Sequence, residues 1–232
     1  MIKRILDTKK QTAAALAEEI FQKINECDDS VNIALSGGST PAILFSIVAE
    51  DYGDKINWRK VRIFWVDERS VPPEDDQSNY KMTARTLLSQ IDIPESNVYR
   101  IHGENDASKE AVRYSEVIEQ SVPMEKNLPR FDIILLGMGD DGHTASIFPD
   151  QMSLLKSDKI CERAIHPQNG QERVTMTGSV INNGKNIYFL ICGESKVEIL
   201  VKIRDKDPLY PASYIRSDAI FFLDKSASGK LT

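Results

Sequence analysis

The chain has 232 residues, 41% of them apolar and 28% charged, and carries a formal net charge of -6 at pH 7. That length can bury a sizeable core, and the acidic balance, with no long basic run, argues against nucleic acid as a partner. It leaves open an anionic small molecule, for which a few Arg and Lys residues in a pocket matter more than the total charge.

The N-terminal twenty residues are basic in places but hold no uninterrupted apolar segment of the signal-peptide kind, and no stretch approaches membrane-spanning length. Cys27, Cys161 and Cys192 form no CxxC pair, so neither a zinc site nor a disulfide framework is expected. A reducing, cytoplasmic setting is the expectation.

Ala13, Leu16, Ala17, Ile20, Phe21 and Ile24 recur at helical spacing and predict an amphipathic first helix. Residues 31–35 are a short apolar run that reads as a buried strand, cut off by Ser36-Gly37-Gly38. Pro41 stands where a helix's first turn tolerates it, and 42–51 continue as helix. Residues 61–66 read as a strand ending in Asp67-Glu68-Arg69, followed by a Pro-rich loop and helices near 78–90 and 107–121. The most apolar strand is 131–136, which runs into Gly137-Met138-Gly139-Asp140-Asp141-Gly142. The polar stretch 150–172 reads as a loop that covers a site, with Arg173 between it and a helical stretch. A strand at 187–192, Gly193, a helix through about Ile203, a last strand at 220–223 and a short helix complete the pattern. Strands alternating with helices predict an α/β fold with a mainly parallel sheet, in one domain over 1–232.

Four strands end in polar or glycine-rich clusters: Ser36 to Thr40, Asp67 to Arg69, Gly137 to His143, and Gly193 to Lys196. The carboxyl ends of parallel strands share one edge, where open α/β sheets bind ligands, so these four are expected to meet at one cleft. Ser36, Gly37, Gly38, Ser39 and Thr40 suit an oxyanion: glycine lets backbone N–H groups come close, and the following helix adds its positive end. The segment lacks the GK[ST] ending of a P-loop, and alone it reads equally as a turn with a Ser/Thr cap. His143 among three glycines and two aspartates can take a proton from water near neutral pH, with Asp141 or Asp67 to orient its ring. Arg69 and Lys196 are candidate anion binders, although each alone also reads as a solvated surface charge. His102 reads as a loop residue, and His166, before Pro167, as a loop residue near the rim.

LSGGSTP (35–41), WVDERSVPPEDDQSNY (65–80), LLGMGDDGHTASIFP (135–149), RVTMT (173–177) and the Gly193–Lys196 segment together resemble the 6-phosphogluconolactonase family, and more distantly the glucosamine-6-phosphate isomerases and deaminases. The resemblance implies a Rossmann-like three-layer α/β/α sandwich. It also implies hydrolysis of 6-phospho-D-glucono-1,5-lactone, the second step of the oxidative pentose phosphate pathway, without metal or organic cofactor. On it, His143 corresponds to the general base, and the SGGST loop, Arg69, Lys196 and Arg173 to phosphate-binding positions. Deaminases carry a Glu shortly after the motif histidine; here Phe148 stands there, and an apolar ring cannot shuttle a proton. A phosphosugar isomerase or deaminase, and a non-catalytic phosphosugar-binding module, are the alternatives. The expected partner is the phosphorylated lactone alone, with no nucleic acid or membrane, in a monomer or small homo-oligomer.

Overall fold

The computed structural model describes residues 1–229 and 231. In chain order the strands are β1 (Ile2–Leu6), β2 (Val31–Leu35), β3 (Val61–Trp65), β4 (Asp67–Arg69), β5 (Val98–Tyr99), β6 (Met124–Glu125), β7 (Leu128–Pro129), β8 (Ile133–Leu136), β9 (Cys161–Ile165), β10 (Glu172–Met176), β11 (Asn186–Ile191) and β12 (Ile220–Asp224). The α-helices are α1 (Lys9–Asn25), α2 (Ser39–Tyr52), α3 (Asn79–Thr86), α4 (Ala107–Ser121), α5 (Gly178–Asn183), α6 (Val197–Arg204) and α7 (Lys225–Ser228).

Seven strands form one sheet in the order β1-β12-β11-β8-β2-β3-β5, every neighbouring pair parallel. Every residue of β2 and β8 is buried. A strand buried at successive positions is covered on both faces, and helices supply that cover, giving the α/β/α sandwich. From β2 the chain builds outward through β3 to β5, then returns to the other side of β2 and builds outward again through β8, β11 and β12. The strand order therefore reverses between β2 and β8, and their carboxyl ends open a crevice at that point.

The structure differs from the sequence reading in three places. β1 is a parallel edge strand that sequence periodicity does not reveal, because four of its five residues are exposed. Residues 150–172 are not one loop. Pro149–Leu155 is 3-10 helix, and β9 and β10 pair antiparallel with each other and with β4. Arg173 accordingly sits on β10, not beside a helix. This small sheet packs against α4 on one side, so its strands carry charges on the other and lack the long apolar run of a central strand. The helix expected near 78–90 breaks after Thr86 into a 3-10 turn, Leu88–Gln90.

The small sheet begins where the large one ends. Val66 N donates to Leu35 O at 2.9 Å, and Val66 O accepts from Met176 N at 2.7 Å. The chain thus leaves β3 and joins β10 within one residue, which carries Asp67 and Arg69 over the crevice. Among the described residues no helix is long and apolar enough to cross a membrane.

Candidate active site

A cavity of about 340 Å³ lies in the crevice. Its walls include all of Ser36 to Thr40, then Asp67 and Arg69, then Gly137 to Gly139 with His143, and finally Arg173 and Lys196. The four clusters that end separate strands in the sequence therefore share one wall-to-wall space.

On the β2 side, Gly38 has φ +111°, a backbone region that favours glycine, and it turns the chain directly into α2. No side chain caps the α2 amino terminus, so its first-turn amides are left for a ligand or water. Ser36 is less available than its neighbours. Its hydroxyl donates to Leu135 O at 2.8 Å and ties the loop to β8. Ser39 and Thr40 both line the cavity.

On the β8 side, His143 Nδ1 lies 2.6 Å from Asp141 Oδ1, and the same oxygen accepts the His143 backbone N–H at 3.1 Å. Burial pushes the Asp141 carboxyl up, but the hydrogen bonds from His143 and the charge of its ring outweigh it and hold the group below the usual value. An ionised carboxylate only accepts, so Nδ1 carries the proton, and in the neutral ring Nε2 holds the lone pair. Gly139 makes this pairing sterically feasible. A Cβ there would stand 2.3 Å from His143 Nδ1 and Cε1 and 2.6 Å from Asp141 Oδ1. Behind the imidazole lies the fully buried Phe148, ring centroids 4.8 Å apart. His166 meets the same phenyl ring edge-on at 5.1 Å, and Arg173 Cζ stands 5.8 Å from its centroid. Burial first, then the charges of Arg173 and His143, hold His166 below the ordinary histidine value.

Asp67 is buried and makes no hydrogen bond to the imidazole. Its Oδ2 accepts from Ser146 Oγ at 2.6 Å and lies 3.9 Å from an Arg173 guanidinium nitrogen. It thereby links β4, β10 and the turn after His143. The Arg69 guanidinium donates to Gln77 O, while its Nε is buried without a partner. Lys196 Nζ donates to Asp140 Oδ1 at 2.6 Å, which holds the Asp140 carboxyl below its usual value.

Three participants escape the sequence reading. Glu68 is buried and accepts from the backbone N–H groups of Arg69, Asn79 and Tyr80, each at 2.8 Å, and from Ser78 Oγ at 3.0 Å. It pins β4 to the start of α3. Asn79 lines the cavity and donates to Asp67 O at 2.9 Å. Both lie inside the 65–80 segment, where a carboxylate just after an apolar run and the Ser78-Asn79 pair ahead of a helical stretch were the available signals. Lys9 also lines the cavity, and nothing local to it in the sequence marks it.

A family model described as glucosamine-6-phosphate isomerases/6-phosphogluconolactonase matches residues 7–222. The 6-phosphogluconolactonase of Treponema pallidum (strain Nichols) is 41% identical over 203 residues, which cover 88% of this chain and 84% of the relative. That of Haemophilus influenzae is 38% identical over 227 residues, covering 95% of each. A crystal structure of 6-phosphogluconolactonase from Thermotoga maritima superposes with a TM-score of 0.86 at 29% identity, over 97% of this chain and 99% of that one.

Proposed function

The chain belongs to the glucosamine-6-phosphate isomerase/6-phosphogluconolactonase family, and from that premise we propose that it hydrolyses 6-phospho-D-glucono-1,5-lactone with His143 as the general base. The observation that carries the assignment of the base is the 2.6 Å contact between His143 Nδ1 and Asp141, which leaves Nε2 as the basic nitrogen in a cavity lined by cations.

The substrate has a near-dianionic phosphate at one end and an activated ester carbonyl at the other. Phosphate binding falls to the amides opening α2, the hydroxyls of Ser39 and Thr40, and the cations Arg69, Arg173 and Lys196, which line the same cavity. With that end held, Nε2 takes a proton from a water molecule as the water oxygen bonds to the lactone carbonyl carbon. The tetrahedral oxyanion is stabilised by backbone amides of the glycine loop. Those of Gly139 and Gly142 already donate to His143 O and Gly139 O, so the role passes to the Gly137–Met138 stretch on the cavity wall. The carbon–ring oxygen bond then breaks as Nε2 returns its proton to the leaving oxygen. The open-chain acid ionises to 6-phosphogluconate. Asp141 keeps the ring in the working tautomer and stabilises the transient imidazolium. This is the second step of the oxidative pentose phosphate pathway, and a cytoplasmic one. It asks nothing of an organic cofactor and is carried out within one domain.

Phe148 favours lactone hydrolysis over sugar isomerisation: a buried phenyl ring in van der Waals contact with the imidazole moves no proton. The test follows decay of freshly made 6-phosphogluconolactone with wild-type protein, with His143→Ala and with no protein. We expect kcat to fall roughly 10²- to 10⁴-fold in the variant with little change in KM, and glucosamine 6-phosphate to release no ammonia. A variant as fast as wild type removes His143 from the chemistry. A wild type no faster than the spontaneous reaction removes the function.

A further inference from the structure

Four cationic side chains line the cavity, Lys9, Arg69, Arg173 and Lys196, against one carboxylate, Asp67. Three of the four already have acceptors within the protein. Arg69 donates to Gln77 O, Arg173 to Gln171 Oε1 at 3.3 Å, and Lys196 to Asp140 at 2.6 Å. The Lys9 side chain makes no hydrogen bond or ion pair with any described residue.

Its position is unfavourable on local grounds. Lys9 is the first residue of α1, whose first turn contains no acidic residue, so its ammonium sits at the positive end of the helix. A solvated surface lysine is the ordinary outcome at such a place, and the next residue, Lys10, is one: it is exposed. Lys9 is instead half-buried in the cavity wall and close enough to Cys192, another wall residue, to act electrostatically on its thiol. The topology explains the location. α1 leaves the carboxyl end of β1 and packs along α2, so both helices begin at the edge of the sheet that holds the site.

We propose that Lys9 is a further substrate-binding residue, whose ammonium donates to the phosphate ester of the substrate and sets the preference for phosphorylated over unphosphorylated lactones. The proposal rests on the phospholactone reading above. Its physical basis is that the three N–H donors of the Lys9 ammonium have no acceptor among the described residues. Lys196 already spends one of its three donors on Asp140, whose negative charge offsets part of its attraction for the phosphate. Lys9 breaks no ion pair when the anion arrives and exchanges only water for the phosphate oxygens.

The experiment compares wild type, Lys9→Ala, Lys9→Arg and the neighbouring Lys10→Ala. Each is measured for KM and kcat on 6-phosphogluconolactone and on unphosphorylated gluconolactone, and for the Kd of inorganic phosphate by calorimetry. For Lys9→Ala we expect KM for the phospholactone and Kd for phosphate to rise about tenfold, equivalent to about 1.4 kcal/mol. kcat stays within about twofold, KM for the unphosphorylated lactone does not move, and arginine restores part of the loss. An unchanged phosphate Kd in folded Lys9→Ala overturns the proposal. So does an equal KM rise on both lactones, or an equal rise in Lys10→Ala, which would reflect overall charge. Phosphate binding needs no turnover. A wild type that fails to hydrolyse the phospholactone therefore sinks the functional reading while the phosphate titration still judges Lys9.

Discussion

One hydrogen bond, from the ring of His143 to Asp141 Oδ1, decides which nitrogen of the imidazole can act as a base, and one hydrogen atom makes room for it. Gly139 has no Cβ, and the space a Cβ would occupy is taken by the imidazole and the carboxylate together. Gly139→Ala therefore removes no chemical group but forces the ring to turn away from Asp141. Its φ is not among the positive ones, so alanine strains the backbone little. We expect kcat to fall by roughly 10²-fold or more, because a misaligned base is lost to the reaction, while the thermal midpoint moves by only a few degrees. Parallel measurement of kcat and Tm checks this. A variant with normal kcat means that the ring tolerates the methyl group and the pairing is not needed, whereas an unfolded one means that the loop needs glycine for stability.

At the scale of elements, β4 is three residues long yet carries Asp67 and Arg69 into the cavity, and Glu68 is what fastens it. One oxygen of Glu68 accepts from the Arg69 and Asn79 amides and the other from the Tyr80 amide and Ser78 Oγ. In Glu68→Gln one of these oxygens becomes an NH₂ group that confronts a donor. The serine hydroxyl can rotate to accept, but a backbone N–H cannot. The unmet amide costs about 1–3 kcal/mol, so urea denaturation should show a loss of that size, accompanied by a higher KM as β4 and Arg69 loosen. An unaltered denaturation midpoint would falsify the role given to this carboxylate. The same element marks the limit of what sequence patterns reveal. β2, β3, β8, β11 and β12 are buried along nearly their whole length and read directly as apolar runs. The β9 strand has only Cys161 and Ala164 buried, and β1 is an edge strand, so neither carries that signature. The glycine loops were legible because their chemistry is local. Lys9 was not, because a lysine becomes a cavity residue only through the sheet order that brings α1 beside α2.

The molecule as a whole is built outward in both directions from β2 and β8, so the cavity sits at the centre of the sheet and the edge near β5 is free to carry stabilising interactions unrelated to the chemistry. Arg100, just beyond β5, makes two hydrogen bonds to the Glu104 carboxylate, 2.9 and 2.7 Å long, and these hold the Glu104 pKa down at about 2. A carboxylate lowered in the folded state binds its proton more readily when unfolded, so the protein gains stability as pH rises through the unfolded value and loses it as pH falls toward the folded one. For Glu104 the window runs from the ordinary glutamate range, about 4.3, down to about 2. The pair is partly exposed, which limits its size through solvent screening, but the sign stands. Glu104→Gln should therefore be less stable than wild type at pH 7, and the gap should close as the pH is lowered through that window. Since neither residue lines the cavity that holds His143, turnover at pH 7 should be untouched. Denaturation midpoints of both proteins at pH 7, 5, 4 and 3 give the comparison. A gap that stays constant across the series would mean that the glutamate contributes through packing, with its charge playing no part.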